Sequence, residues 1–366
     1  MDKHNKLAKQ LIKATKKGNL NKIHKLLKKG VDIESTDKKG KTPLIWASKK
    51  DELEELKNLI KAGADIDAKD NKGNTALIIA CKKGHHKIVK HLIKSGADIN
   101  IKNKIIKDND AADNLSFNAA YTDFEKFIKK YEEGNTALMW ATYHGYASIV
   151  KTLIKAGVDI NAKNSSGASA LMFASVGGSA DMVKLLIKNG LDVNAADNDG
   201  WTPLMEAAVE GHIDTIKILI KSGADINYQN KNGWTALMWA AYKGHADAVV
   251  LLLEYNAEID LKDSTGNTAL MKAVANGYYV ITKLLVEYGA DVNISDNDGL
   301  TPLMFAATKG KLIIKVDFKT RGKRHEKITK YLLENNVDTT LKNKKGKTAL
   351  ELAKNGNNTE IVKILS

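Results

Sequence analysis

Two tripeptides in this chain have the form that closes a phosphate-binding loop: Gly40-Lys41-Thr42 and Gly346-Lys347-Thr348. In such a loop, backbone N–H groups cradle phosphates, the lysine reaches the outer phosphates and the hydroxyl holds magnesium. The loop needs a further glycine five residues before its last one, and those positions are Ser35 and Leu341. Neither tripeptide is therefore read as a nucleotide site. Histidines offer a second chemistry. His85, His212 and His245 each follow a glycine, and His325 does so once a 14-residue excess is set aside. Zinc binds imidazole at about 2 Å. If these histidines stand on successive packed helices, roughly 8–10 Å separates them, too far to share an ion. Cys81 and His85 fall on one helix face, but two ligands are too few. No G-x-S-x-G, H-E-x-x-H or calcium-loop pattern occurs. The reading assigns no catalytic, metal or cofactor-binding residue, and no enzyme is expected.

What must position these residues is visible in the methionines. Met139, Met172, Met205, Met238, Met271 and Met304 lie 33 residues apart, each in the phrase G-x-T-P/A-L-M, with Ser169 replacing the threonine once. A fixed period of this length marks stacked helical repeats, each unit touching only its neighbours. It overrides the prior of two or three globular domains that 366 residues would suggest. One unit shows the local logic. In GWTALMWAAYKGHADAVVLLLEYNAEIDLKDST, starting at Gly233, Thr235 is a natural helix N-cap. The next position takes Pro or Ala, and all three prolines of the chain (Pro43, Pro203, Pro302) occupy it, where a missing N–H costs nothing. The first helix is short and ends at Gly244. A second, through ADAVVLLLEY, ends at Asn256, where other units place Gly63, Gly96, Gly157, Gly190, Gly223 or Gly289 as left-handed caps. A polar turn with Asp or Asn and Gly leads to the next unit.

The pattern G-x-T-P-L-x-x-A-A-x-x-G-H, then V-x-x-L-I, then G-A-D-I-N, resembles the ankyrin-repeat family over nearly the whole chain. The resemblance implies an all-α solenoid of stacked helix pairs with short hairpin-like fingers, about ten units in a single array over residues 1–366. Residues 4–37 then form an N-terminal cap unit and 346–366 a C-terminal cap, with repeats at 38–103 and 132–345. One departure stands out. The family usually has histidine after T-P-L, bonding between backbone turns, and here that slot is methionine, or Ile45, Ile78 and Glu351. Methionine packs but cannot make that bond, so the stripe is read as core. The asparagines Asn100, Asn161, Asn194, Asn227 and Asn293 resemble sites of asparaginyl hydroxylation in animal relatives, although the fold itself calls for asparagine there.

Turn glycines at Gly40, Gly73, Gly134, Gly167, Gly200, Gly233, Gly266, Gly299 and Gly346 expose two interruptions. Residues 104–131 carry Phe117, Tyr121, Phe124, Phe127 and Tyr131. Thr122 and Glu125 form a capping box for a helix through FEKFIKKYEE. The segment reads either as an elongated finger with one amphipathic helix or as a decayed repeat. Residues 311–324 separate the two helices of one unit, contain both arginines (Arg321, Arg324), and alternate apolar and polar residues in LIIKVDFK. They read as a small hairpin or extended arm, either a basic contact arm or a simple loop.

Charge is uneven along the chain. The formal net charge is +14, but residues 1–103 hold 25 Lys against 12 acids, while 167–310 hold 10 Lys against 17. Only two of the 57 basic residues are arginine, the residue suited to bidentate phosphate and base contacts, which argues against a dedicated nucleic-acid reader. No apolar run is long enough for a membrane span, no signal-peptide core opens the chain, and a single cysteine fits a reducing, cytoplasmic setting.

In the resembled family, the exposed variable positions are the finger tips, the residue after the turn glycine and the end of the first helix. Here these give Trp201, Trp234 and Leu300, then Tyr143, Glu210, Tyr242, Asn276 and Lys309. Trp and Tyr dominate interface hot spots. Trp201 and Trp234 serve either a partner or the local stapling of a finger to its neighbour; Trp46, Trp140 and Trp239, inside first helices, are read as core. The expectation is a monomeric, non-enzymatic scaffold that holds a protein along the concave face of units near residues 130–310. The alternative is nucleic-acid or anionic-surface binding through the basic N-terminal units and the 311–324 arm.

Overall fold

The computed structural model describes residues 3–104, 131, 133–308 and 318–366. It is all-α, with twenty helices and no strand among the described residues. The chain falls into two compact units, Met1–Asp192 and Val193–Ser366.

The first unit contains five helix pairs: α1 (Lys3–Lys16) with α2 (Leu20–Leu27), α3 (Pro43–Lys50) with α4 (Leu53–Lys61), α5 (Ala76–Lys83) with α6 (His86–Lys94), α7 (Ala137–Tyr143) with α8 (Ala147–Lys155), and α9 (Ala170–Val176) with α10 (Ala180–Lys188). The second contains α11 (Pro203–Glu210) with α12 (Ile213–Lys221), α13 (Ala236–Lys243) with α14 (Ala246–Glu254), α15 (Ala269–Ala275) with α16 (Tyr279–Glu287), α17 (Pro302–Ala307) with α18 (Phe318–Leu333), and α19 (Ala349–Asn355) with α20 (Thr359–Leu365). Within each unit, first helices pack on neighbouring first helices and second helices on second.

The caps follow the sequence. Thr235 Oγ1 accepts from Met238 N at 3.2 Å, and Thr42, Thr75, Thr136, Thr202, Thr268 and Thr301 do the same one turn into their helices. Ser169 makes no such bond, and its hydroxyl is buried without a partner. The methionine stripe is core, each residue of it at most 1% exposed, and each such burial is worth roughly 1.5–3 kcal/mol.

Two of the histidines that stand at the N-caps of second helices bond back across the stack. His85 Nδ1 lies 2.8 Å from Ser48 O, and His245 Nε2 lies 2.8 Å from Val209 O, each reaching the first helix of the preceding pair. Between fingers, one residue of each unit accepts the backbone N–H of the next: Asn194 Oδ1 from Asp225, Asn227 from Glu258, and Asn293 from Asp338. Those asparagines are therefore explained by the stacking. Carboxylates fill the same slot at Glu34, Asp67 and Asp260. Burial raises the pKa of all three, and the neighbouring Asp65, Asp98 and Asp291 add repulsion against the help of the backbone donor.

Every polar turn is built around one acceptor. Asn230 Oδ1 takes the N–H groups of Asn232 and Trp234, both at 3.0 Å, and Asp197 takes those of Asp199 and Trp201. Gly233 then turns at φ 74°, with Asp263 Cα and Ser264 N passing 2.8 Å from where a Cβ would stand. A side chain there would be strained by its backbone conformation and by the next turn together.

The aromatic-rich interruption enters at one such turn. Asn103 N donates to Asn135 O, Gly134 N to Asn103 O, and Asn135 N to Asn103 Oδ1, the bonds that Asp37 makes with Gly40 and Lys41 in an uninterrupted turn. The turn closes with Lys104 and Glu133 in the two tip positions, one residue later than a boundary at 104–131, and α5 still packs on α7. The excess thus leaves and rejoins the described chain at a finger tip, with the flanking first helices still packed together. Residues 105–130, with the Thr122–Glu125 capping box, lie outside the described residues. Tyr131, at the returning end, is 1% exposed and packs on Phe173, ring centroids 6.0 Å apart.

The second interruption needs a correction. Residues 318–324 are neither hairpin nor extended arm: they form the first turns of α18, which is 16 residues long where other second helices have seven to nine. The helix begins at Phe318, inside the 311–324 segment, because nothing in Phe318–Arg324 breaks it except Gly322, a cost of only about 1 kcal/mol. Residues 309–317, including Lys309, lie outside the described residues.

Candidate functional site

The structure brings three of the sequence-selected residues together in the second unit. Trp201 and Trp234 each follow a turn glycine, and their backbones are pinned by the Asp197 and Asn230 acceptors. Their rings flank Trp239 of α13, with centroids 4.6 Å from Trp201 and 4.2 Å from Trp234. Tyr242, one helical turn beyond Trp239, meets Trp234 edge-on at 5.4 Å and Trp239 at 5.9 Å. Edge and offset contacts of this kind add about 0.5–1.5 kcal/mol each to plain burial. Trp239 is buried, and its indole N–H has no hydrogen-bond partner, while Trp201, Trp234 and Tyr242 are half-buried. The two readings left open by the sequence are thus compatible: the tryptophans staple the fingers to α13, and their outer surfaces still face outward.

A charged pair lies against this cluster. Lys272 of α15 sits over the Trp234 ring, Nζ 4.1 Å from the centroid, and bonds Asp263 at 2.6 Å. Both side chains are at most 7% exposed. Burial pulls the Lys272 ammonium down, with Asp263 partly restoring it. The Asp263 carboxyl is raised by burial but held low on balance by hydrogen bonds from Lys272, Thr265 and Asn267. A cation over an indole in such a dry site is worth ~2 kcal/mol. Sequence reasoning missed this pair. Its signal was a lysine in the first-helix slot that holds Trp140, Phe173, Trp239 and Phe305 elsewhere, a charge where the apolar period calls for a ring.

The remaining selected residues are placed separately. Tyr143 belongs to the first unit and packs edge-on against His144 and Phe173 at 5.0 and 6.4 Å. Glu210 ends α11 and is half-buried. Leu300 follows Gly299, its N–H bonded to Asp296 at 2.7 Å, and is half-buried. Asn276 caps the end of α15. Of the three tryptophans read as core, Trp140 and Trp239 are buried but Trp46 is half-exposed. Its indole N–H donates to Asp37 at 3.0 Å, and Lys16 and Lys49 lie 4.5 and 4.7 Å from its ring.

Among the described residues no group of three or more His, Cys, Asp or Glu could hold a metal ion. Cys81 is fully buried, which drives its thiol away from the reactive thiolate. No helix of the described residues is long and apolar enough to cross a membrane.

A family model for ankyrin repeats (three copies) matches residues 11–103, 138–230, 195–263, 222–296, 256–318 and 291–366. The chain belongs to the ankyrin-repeat family. Ankyrin repeats are in general protein–protein interaction modules without enzymatic activity. No curated protein matches the chain. The aromatic cluster joins two residues that follow turn glycines, Trp201 and Trp234, to Trp239 and Tyr242 of one first helix.

Proposed function

We propose that this ankyrin protein is a non-enzymatic scaffold that holds a protein partner on the finger edge of its second unit, with Trp201, Trp234 and Tyr242 as anchors. The observation that supports this most is the Trp201–Trp239–Trp234–Tyr242 cluster. Three aromatic rings converge on one buried tryptophan, and their outer surfaces remain half-exposed. Rigid aromatic surface of this kind gives binding energy at small entropic cost. Glu210 and Leu300 extend the contact along the same unit, and Tyr143 offers a further aromatic anchor on the first unit. Residues 167–310 are net acidic, which favours a partner with a basic or mixed surface. The setting in this reading is cytoplasmic, and the chain acts as a monomer.

The test is affinity capture from the native cell lysate at moderate salt. Wild type is compared with Trp201→Ala/Tyr242→Ala and with Tyr288→Ala, which removes an exposed ring from the opposite helix layer. The reading expects one set of proteins retained by wild type and by Tyr288→Ala and lost by the double variant, with circular dichroism showing all three folded. Equal retention by all three would remove the aromatic cluster from the site.

A further inference from the structure

The first unit contains a groove of about 990 Å³ that the protein-partner reading does not use. One wall is α1, whose Lys9, Lys13 and Lys16 recur at helical spacing on one face. The opposite wall is the first finger, with Lys38, Lys39 and Lys41. Lys49 of α3, Lys72 of the next finger, Ile12 and Trp46 also line the groove. Asp37 is the only acid among the described residues of the lining, and its carboxylate is already committed: it accepts the N–H groups of Lys39 and Lys41, the Trp46 indole N–H and the Lys16 ammonium. Lys41 bonds Asp70. Eight lysines thus line one cavity, two of them paired with Asp37 and Asp70. Their crowding is felt at Lys49, whose pKa is lowered by burial and then by the charges of Lys41, Lys83, Lys39 and Lys50.

We propose that this groove binds a small, multiply phosphorylated anion, its phosphates held by the lysines that line the cavity. Three features favour this ligand over other polyanions. The lysines surround a pocket of small-molecule size instead of tracking in a stripe, which suits a compact anion of high charge density over an extended acidic chain. The Trp46 ring carries two ammonium groups and its N–H is engaged, so it offers no free platform for stacking a nucleic-acid base. The lining has no arginine, and lysine holds a tetrahedral phosphate as a point charge without a matching fork. The same phosphate chemistry comes from a soluble metabolite or from a lipid headgroup.

Two arms separate those sources, both on the full chain at physiological salt. Calorimetric titration uses inorganic tripolyphosphate; sedimentation uses phosphatidylcholine vesicles containing phosphatidic acid, with phosphatidylserine vesicles as control. The variants are Lys13→Ser/Lys49→Ser, Lys13→Ser alone in case Lys49 is needed for folding, and Lys94→Ser, which removes an exposed charge from α6. The proposal expects saturable binding to one site, weakened roughly tenfold or more by the double variant, as loss of one or two charge-assisted hydrogen bonds implies, and unchanged in Lys94→Ser. Tripolyphosphate binding alone supports a soluble ligand. Binding to phosphatidic acid vesicles that tripolyphosphate displaces, without binding to phosphatidylserine, supports a headgroup. Equal weakening by every variant, or no saturation, would mean diffuse surface charge and overturn the proposal. Tighter, groove-dependent binding of polyglutamate or of a single-stranded oligonucleotide would overturn it in favour of an acidic peptide or nucleic acid. The groove and the aromatic cluster lie in different units, so the failure of one reading leaves the other standing.

Discussion

Trp46 and Trp239 occupy the same slot of the repeat, six residues after the turn glycines Gly40 and Gly233, yet their surroundings are opposites. Trp46 stands in a charged niche, its N–H on Asp37 and its ring under Lys16 and Lys49. Trp239 is wedged between two other indoles, its own N–H buried and unpaired. The backbone frame is the same in both: Asp37 and Asn230 each accept the N–H groups two and four residues on. What differs is the residue after the glycine, Lys41 in one unit and Trp234 in the other. The repeat therefore fixes where a side chain stands, and one or two variable positions decide whether the surface made there is cationic or aromatic.

That comparison breaks first at the tryptophans themselves. Trp239→Ala is expected to cost about 3–5 kcal/mol, the range for truncating a buried aromatic, and to collapse the platform under Trp201 and Trp234. Trp46→Ala, at a half-exposed site, should cost about half as much. Denaturant unfolding of the two variants would show the difference, and equal costs would deny that the two niches differ in packing.

The ion pairs give the next contrast. Asp70 and Asp263 hold the same turn position, but one receives Lys41 from the preceding unit and the other Lys272 from its own first helix. Lys272→Ala leaves a buried carboxylate without its cation and removes the cap over Trp234, an expected loss of about 3 kcal/mol. Lys41→Ala, where the cation is more exposed, should lose about 1 kcal/mol. Thermal unfolding at neutral pH orders the two, and the reverse order would contradict the burial argument.

A pH contrast follows from Glu55 of α4. Its side chain is 1% exposed and neither carboxyl oxygen has a hydrogen-bond partner. Burial pushes its pKa up to about 8, with Glu52 adding to the rise. The folded state then keeps a proton that the unfolded chain gives up near 4.5, so the associated stability is present at low pH and drains away as pH rises through about 8. The first unit should weaken over that interval, and Glu55→Gln should flatten the dependence by a few kcal/mol at alkaline pH. Chemical unfolding between pH 5 and 9, on the order of that titration window, would test it; a pH-independent wild type would show that the carboxyl finds a partner.

The smallest expected effects come from the inter-finger slot. Asp67→Asn and Asp260→Asn convert two repelling carboxylates into the amide that Asn194, Asn227 and Asn293 supply elsewhere. Each should stabilise by a few tenths of a kcal/mol, because these groups remain partly solvated, and should do so more at neutral than at acidic pH. A calorimetric melt that falls for either variant would mean the carboxylate makes a contact that asparagine cannot.

Most of the frame was legible in the sequence because the frame is periodic. Thr235, Pro203 and Asn256 announce helix starts and stops through local chemistry alone, and they stand where that chemistry put them. The core methionines were legible for the same reason. Long-range pairings were not. Nothing local says that His245 reaches Val209 O, or that Trp201 meets Trp239, since each pairing joins residues about one repeat apart across the stack. Trp46 was misread because its neighbours, unlike those of Trp239, are lysines: Lys49 of its own helix and Lys16 of α1, an unmarked helix before the first clear repeat. The helix at Phe318 was misread because an alternating pattern over eight residues outweighed the continuity of α18.

The most direct measurement is amide hydrogen exchange of the full chain with and without a partner captured at moderate salt. The account predicts new protection in residues 200–205 and 234–243, with the lysine groove around residues 36–49 unchanged. Protection confined to the groove, or to the second helices α14 and α16, would contradict it.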